Sequence, residues 1–269
     1  MSTTFDWRWI PRGIVLGLLA FAIFGPLANL LLWAVAERWY FPHTLPLQYG
    51  FSFWANVFSP RGNALSSLGT SVLIAILTVI VSLGLAIPAG YALARLKLPF
   101  RGLILLTLLI PQAFPNLPVY VNIAQMFYSF GLNGTIIGVV LVHVTHGLVY
   151  AVWIATAAFS AIDSELEEAA RSMGASALKT FFDITLPIAA PVLASAIFVF
   201  LESLDEFTGT YFVGAPDIST LPLLLYTASS GGNYQIASIS ALILLVPSIA
   251  FMFVVERFLR ADVLSKVGR

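Results

Sequence analysis

Marking every Asp, Glu, Lys and Arg along the 269-residue chain leaves long apolar windows between short charged stretches. A helix needs about 20 predominantly apolar residues to cross about 30 Å of hydrocarbon. Gly13 to Ala36 is 24 uncharged residues, enough for one span. Gly62 to Ala94 is 33 residues, of which the polar beginning through Ser67 reads as loop and Leu68 to Leu93 as the second span. Gly102 to Ile162 runs 61 residues without a formal charge, too long for one helix. The turn-forming stretch Ser129 to Gly134 splits it into spans over Leu103 to Val121 and Thr135 to Ala158. Ile184 to Leu201 is an 18-residue fifth span starting near Leu186-Pro187, where proline's missing N–H costs nothing. Ile236 to Val255 makes the sixth. The pattern predicts an all-α, polytopic membrane protein of six transmembrane helices, organised as a single transmembrane domain over 1–269.

Composition agrees with that pattern. The chain is 59% hydrophobic and 10% charged with a mean hydropathy of +0.93, whereas soluble domains carry about 25% charged residues. Thirteen basic residues balance thirteen acidic ones, which excludes a basic nucleic-acid binder. No Cys is present, so disulfides, thiolate catalysis and Cys-based metal sites are excluded together. Pro26, Pro88, Pro111, Pro115, Pro118 and Pro247 fall within spans, where the carbonyls they free must be satisfied inside a bundle. Such bundles are usually transporters or channels.

The basic residues orient the spans, because Lys and Arg near span ends favour the cytoplasmic side. Six spans put Arg8, Arg12, Arg95, Lys97, Arg101, Arg171, Lys179, Arg257, Arg260, Lys266 and Arg269 on one side, leaving Arg38 and Arg61 on the other. Both termini and the loop over 159–187 are therefore expected in the cytoplasm. Ala34-Val35-Ala36 resembles a signal-peptidase site, but a secretory apolar region is only about 7–15 residues, so the first segment reads as a retained anchor.

The densest charge cluster runs from Asp163 to Pro187 and reads as two short helices. Asp163 or Ser164 is placed to cap the first, with Glu167 at the capping-box distance from Ser164. Leu166, Ala169, Ala170 and Met173 recur at helical spacing, and Gly174 is suited to end the helix and turn the chain. The second helix is expected from about Ser176 to Phe182. Ala169 and Ala170 carry almost no side chain, so another surface can approach the backbone closely. An amphipathic helix lying on lipid is the alternative, but such helices prefer Lys and Arg. This one carries Glu165, Glu167 and Glu168 against Arg171 alone.

The spacing Glu168-Ala169-Ala170, three residues, Gly174, nine residues, Ile184, one residue, Leu186-Pro187 resembles the EAA signature of the permease subunits of binding-protein-dependent ABC importers. The resemblance implies the type I permease fold of that family and makes 159–187 the coupling loop, which docks in a groove of a separate ATPase subunit. Glu168 would then pair with a basic residue of the ATPase, Ala169 and Ala170 would pack against it, Gly174 would allow the turn, and Leu186 and Pro187 would close the signature. It further implies two ATPase copies, a second permease subunit in a heterodimer, an external or periplasmic substrate-binding protein, and a location in the inner membrane.

No chemistry of the chain's own is evident. None of the three lysines lies in a G-x-x-x-x-G-K-[ST] phosphate loop, so ATP must be bound elsewhere, and no Ser lies in a G-x-S-x-G context. No catalytic group and no cofactor is expected. His143 and His146, three apart on the fourth span, read either as metal ligands or as packing and pore-lining groups; no carboxylate is in reach by sequence to complete a metal site. At the outer end of the fifth span, Glu202, Asp205 and Glu206 share one turn, and carboxylates in a bilayer are expensive unless they face water or a cation. Ser203-Leu204-Asp205-Glu206-Phe207, Tyr211-Phe212-Val213-Gly214 and Leu221-Pro222-Leu223-Leu224-Leu225-Tyr226 look like the spermidine/putrescine branch of the same permeases, which implies a polyamine or related cationic solute. Sugar, iron, thiamine and phosphonate branches remain alternatives, and so does a six-helix channel.

Overall fold

The computed structural model describes residues 9–189 and 191–267. Arg8 and Arg269 lie outside the described residues, as do the side chains of Arg12, Arg260 and Lys266. The chain divides into two units, Met1–Ala64 with Leu225–Leu242, and Leu65–Leu224 with Ile243–Arg269.

In the first unit, α1 (Trp9–Ala34) is exposed along most of its length, with Leu16, Phe21 and Phe24 among its uncovered side chains. A helix apolar all round is a membrane span. It leads into β1 (Ala36–Arg38), which pairs antiparallel with β2 (Gln48–Tyr49), followed by α2 (Ser52–Phe58). Tryptophans close this junction. Trp33 stacks on Trp39 with ring centroids 4.3 Å apart, and Trp54 Nε1 donates to the Ala34 carbonyl at 2.7 Å.

In the second unit, α3 (Ala64–Arg95) and α7 (Ile136–Ser160) are long and continuous, and α7 is the most enclosed of the apolar helices. Thr135 caps α7 by accepting from Gly138 N. Gly90 of α3 meets Ala155 and Thr156 of α7, where an added Cβ would stand 2.6 Å from the Ala155 Cβ. Small residues at membrane-helix contacts let backbones approach in this way. A core of Ile74, Tyr120, Val139, Val142 and Val213 fills one level, and Phe159, Ala155, Ile162 and Val192 another.

The remaining elements depart from an uninterrupted six-span bundle. The third expected span is broken into α4 (Arg101–Leu108), α5 (Ile110–Ala113) and α6 (Asn116–Ser129). Pro111 and Pro115 explain the breaks, since proline removes a backbone donor and Pro115 sits with ψ 134, outside the helical region. The charged loop forms α8 (Ser164–Ser172), α9 (Ala177–Thr180), a π-turn (Phe181–Thr185) and α10 (Leu186–Ile188). The fifth span is α11 (Pro191–Asp205), which starts later than the sequence suggests, at Pro191 instead of Pro187. The segments Ala177–Ile188 and Pro191–Asp205 are bent by 72° to each other. A second π-turn (Thr210–Gly214) precedes α12 (Leu221–Ser230) and α13 (Tyr234–Val267). Among the described residues, four helices are long and apolar enough to cross a membrane, five if the bent pair counts as one. The expected count of six is thus not met by uninterrupted helices among the described residues.

Candidate functional site

The charged loop is built on a firm inner face. Asp163 Oδ1 accepts from Glu165 N at 3.0 Å and so caps α8. At the other end Gly174 takes φ +91, its N–H bonds Arg171 O at 2.9 Å, and Ala175 N bonds Ala170 O at 3.0 Å. These two bonds are the Schellman pattern, which needs a left-handed residue at that position. A Cβ at Gly174 would meet nothing within 4 Å, so its role is conformational and not a matter of space.

Glu167 overturns the expected capping box. The residue is 4% exposed, and its carboxylate is directed at the end of α3 instead of the helix start at Ser164. Oε2 accepts from the Tyr91 hydroxyl at 2.9 Å and Oε1 from Arg95 Nε at 2.9 Å, while Arg171 Nη2 stands 3.6 Å from Oε2. The two basic groups and the hydroxyl stabilise a buried carboxylate better than one backbone N–H can. Edge-on contacts of Tyr91 with Phe159, 5.5 Å, and Phe181, 4.9 Å, complete the joint. Ala170 is buried beneath α8, so of the two alanines only Ala169 remains outward. Glu168 is exposed beside it, with Met173, Leu178 and Phe182 at 83%, 73% and 58% exposure. Leu186 packs on the Phe159 cluster and Pro187 is exposed.

The three carboxylates at and just beyond the end of α11 do not act as one group. Glu206 points into the protein, where Oε2 accepts from the Tyr120 hydroxyl at 2.8 Å and Oε1 from Gly209 N at 2.8 Å. Glu202 is half-buried and Asp205 exposed, and both line a groove with Leu204, Leu244, Leu245 and Ser248. Removing Glu206 from the set leaves two carboxylates facing an apolar wall.

The histidines belong to hydrogen-bonded seams. His143 Nδ1 and Nε2 lie 2.8 and 2.9 Å from Ser203 Oγ and Thr210 Oγ1. His146 Nδ1 lies 2.9 Å from the Tyr120 hydroxyl and Nε2 3.2 Å from Asn116 Oδ1. Both nitrogens of both rings are thus engaged, which favours the packing reading. A carboxylate is nonetheless in reach, contrary to the sequence expectation, because Tyr120 bridges His146 to Glu206. Tyr91, Arg95 and Tyr120 were missed as site residues. Arg95 follows a 33-residue uncharged window and Tyr91 lies one turn before it, but nothing local in the sequence pairs either with Glu167.

A family model described as binding-protein-dependent transport system inner membrane component matches residues 83–262. The chain is 30% identical to the alpha-glucoside transport system permease protein AglG of Rhizobium meliloti (strain 1021), over 85% of this chain and 63% of that protein's length. It is also 30% identical to the putrescine transport system permease protein PotI of Escherichia coli (strain K12), over 67% of each chain. Among solved structures, a chain of a bacterial ABC transporter involved in the import of the acidic polysaccharide alginate superposes with a TM-score of 0.72 at 17% identity, covering 96% of this chain and 98% of that one.

Proposed function

The chain belongs to the family of binding-protein-dependent transport system inner membrane components, and from that premise we propose that it forms half of a solute path and couples it to ATP hydrolysis by a separate subunit. The observation that carries the reading is the loop over 159–187. Its inner face is tied to α3 and α7, and its outer face offers Glu168, Ala169, Met173 and Leu178 with no cover from the described residues. An exposed apolar surface bordered by charge marks a protein contact. The partner we infer is an ATP-binding subunit in two copies, with Glu168 meeting a basic residue, Ala169 allowing close approach, Gly174 supporting the turn, and Leu186 and Pro187 leading into α11. Ala170 acts from the buried side. A second permease subunit and an external binding protein complete the assembly, and both termini lie in the cytoplasm.

For the solute, Glu202 and Asp205 support a cation, a polyamine included, since two carboxylates on an apolar groove lower the energy of positive charge. A polyhydroxylated solute is the second reading. Carboxylates accept from hydroxyls as well, and the relative that carries an alpha-glucoside is as similar as the one that carries putrescine. Isolation through this chain, followed by reconstitution with its co-purifying proteins in liposomes, tests the reading. ATP-dependent uptake driven by a binding protein is the expected result, and a chain that purifies without any ATPase overturns it.

A further inference from the structure

The helix α3 is held at both ends: its Arg95 end bonds Glu167, and its Ser67 end bonds a different segment. Ser71 Oγ accepts from Leu221 N at 2.8 Å, and Ser67 Oγ lies 3.2 Å from Ser219 Oγ. Between Ser71 and Tyr91 the helix runs 20 residues, about 30 Å at 1.5 Å per residue. One α-helix, which stays helical through Pro88 between these points, therefore bonds the charged loop at one end and the Ser219–Leu221 segment at the other.

We propose that Glu167 is a positioning residue that latches α8 to α3, so that displacement of the loop moves α3 as a rod and shifts the segment around Ser219 and Leu221. This rests on the proposed coupling to an ATPase and assigns Glu167 a part distinct from that of Glu168. The two adjacent glutamates face opposite ways, Glu168 exposed and Glu167 with a side chain 6% exposed against an Arg95 side chain 15% exposed. An ion pair taken out of water resists separation, because breaking it leaves an uncompensated buried charge. Tyr91 adds direction: its hydroxyl and Arg95 Nε approach the two oxygens of one carboxylate from successive turns of α3. The joint is thus a two-point attachment that hinders α8 from swivelling on a single bond. At the far end Ser71 also donates to Ser67 O at 2.9 Å, so the acceptor of the Leu221 N–H is itself held to the helix.

The experiment uses the assembled transporter in liposomes and reads solute imported per ATP hydrolysed for Glu167→Gln, Tyr91→Phe, Ser71→Ala, the pair Glu167→Gln with Ser71→Ala, Glu167→Arg alone, and the charge swap Glu167→Arg with Arg95→Glu. Glu167→Gln is expected to keep the ATPase bound while import per ATP falls at least tenfold. Tyr91→Phe should fall less, and the charge swap should recover part of the loss that Glu167→Arg shows alone. Glu167→Gln with Ser71→Ala should be no worse than the poorer single change, since a rod freed at one end transmits nothing from the other. Loss of the ATPase from the Glu167→Gln complex would place Glu167 in the docking surface and overturn the latch. An unchanged import-to-ATP ratio, or losses from the two ends that multiply, would overturn the rod. Failure of the underlying reading is distinguishable, since the unsubstituted chain would then bind no ATPase.

Discussion

The Tyr120 hydroxyl donates to Glu206 Oε2 at 2.8 Å, joining α6 to the end of α11 across 86 positions of sequence. The Tyr120 hydroxyl oxygen also lies 2.9 Å from His146 Nδ1, so one tyrosine holds three elements together. Glu206 thereby belongs to the scaffold, which leaves Glu202 and Asp205 as the carboxylates of the proposed solute groove.

Tyr120→Phe removes the shared partner of two buried polar groups while keeping the ring. Leaving a buried donor or acceptor unpaired costs about 1–3 kcal/mol. The thermal unfolding midpoint of the detergent-solubilised protein should fall. Asp205→Asn, at an exposed position, should change stability by no more than about 0.5 kcal/mol. Equal midpoints for Tyr120→Phe and the parent would remove the structural role of this bridge.

Glu168→Lys and Gly174→Val should both disconnect transport from ATP hydrolysis, for different reasons. The first reverses an exposed charge on the docking face. The second puts a β-branched side chain at φ +91 and costs about 1–3 kcal/mol in backbone strain alone, as no neighbour obstructs it. Gly174→Asn should be milder than Gly174→Val, because Asn tolerates the left-handed region. Co-purification of the ATPase with each variant is the measurement, and full retention in both Glu168→Lys and Gly174→Val would count against the docking assignment.

Glu202→Gln with Asp205→Asn separates the solute classes. Each carboxylate contributes about 1 kcal/mol to a cation at a hydrated site. Loss of both should therefore cut putrescine uptake about tenfold or more, at about 1.4 kcal/mol per decade. Uptake of an alpha-glucoside should change little. A double variant with intact putrescine uptake and reduced glucoside uptake would reverse the assignment.

Topology is directly accessible because the parent chain has no Cys. Cys in place of exposed Lys97 should react with a membrane-impermeant maleimide only after the cells are opened, and Cys in place of exposed Asp217 should react in intact cells. The opposite pattern would invert the orientation drawn from the basic residues.

The apolar windows by themselves determined that this is a predominantly α-helical membrane protein and where α1, α3, α7 and α13 lie, and the charge pattern located the loop around Glu168 that carries the proposed docking face. Hydrophobic windows and motif spacing are local quantities, so one dimension carries them. Gly174 was legible for the same reason, since a left-handed helix end is a local event. Tertiary structure alone decided the direction of each side chain. Glu167 and Ser164 have capping-box spacing, yet a buried pairing with Tyr91 and Arg95, more than 70 positions away, outweighs one backbone contact. Glu202 and Glu206 share a helical spacing, yet α6 supplies Tyr120 to one of them and not to the other. Pro111 and Pro115 marked the third span for kinks through their missing donors, but Pro88 and Pro247 lie within helices that stay continuous, so which prolines break a helix was decided by tertiary structure.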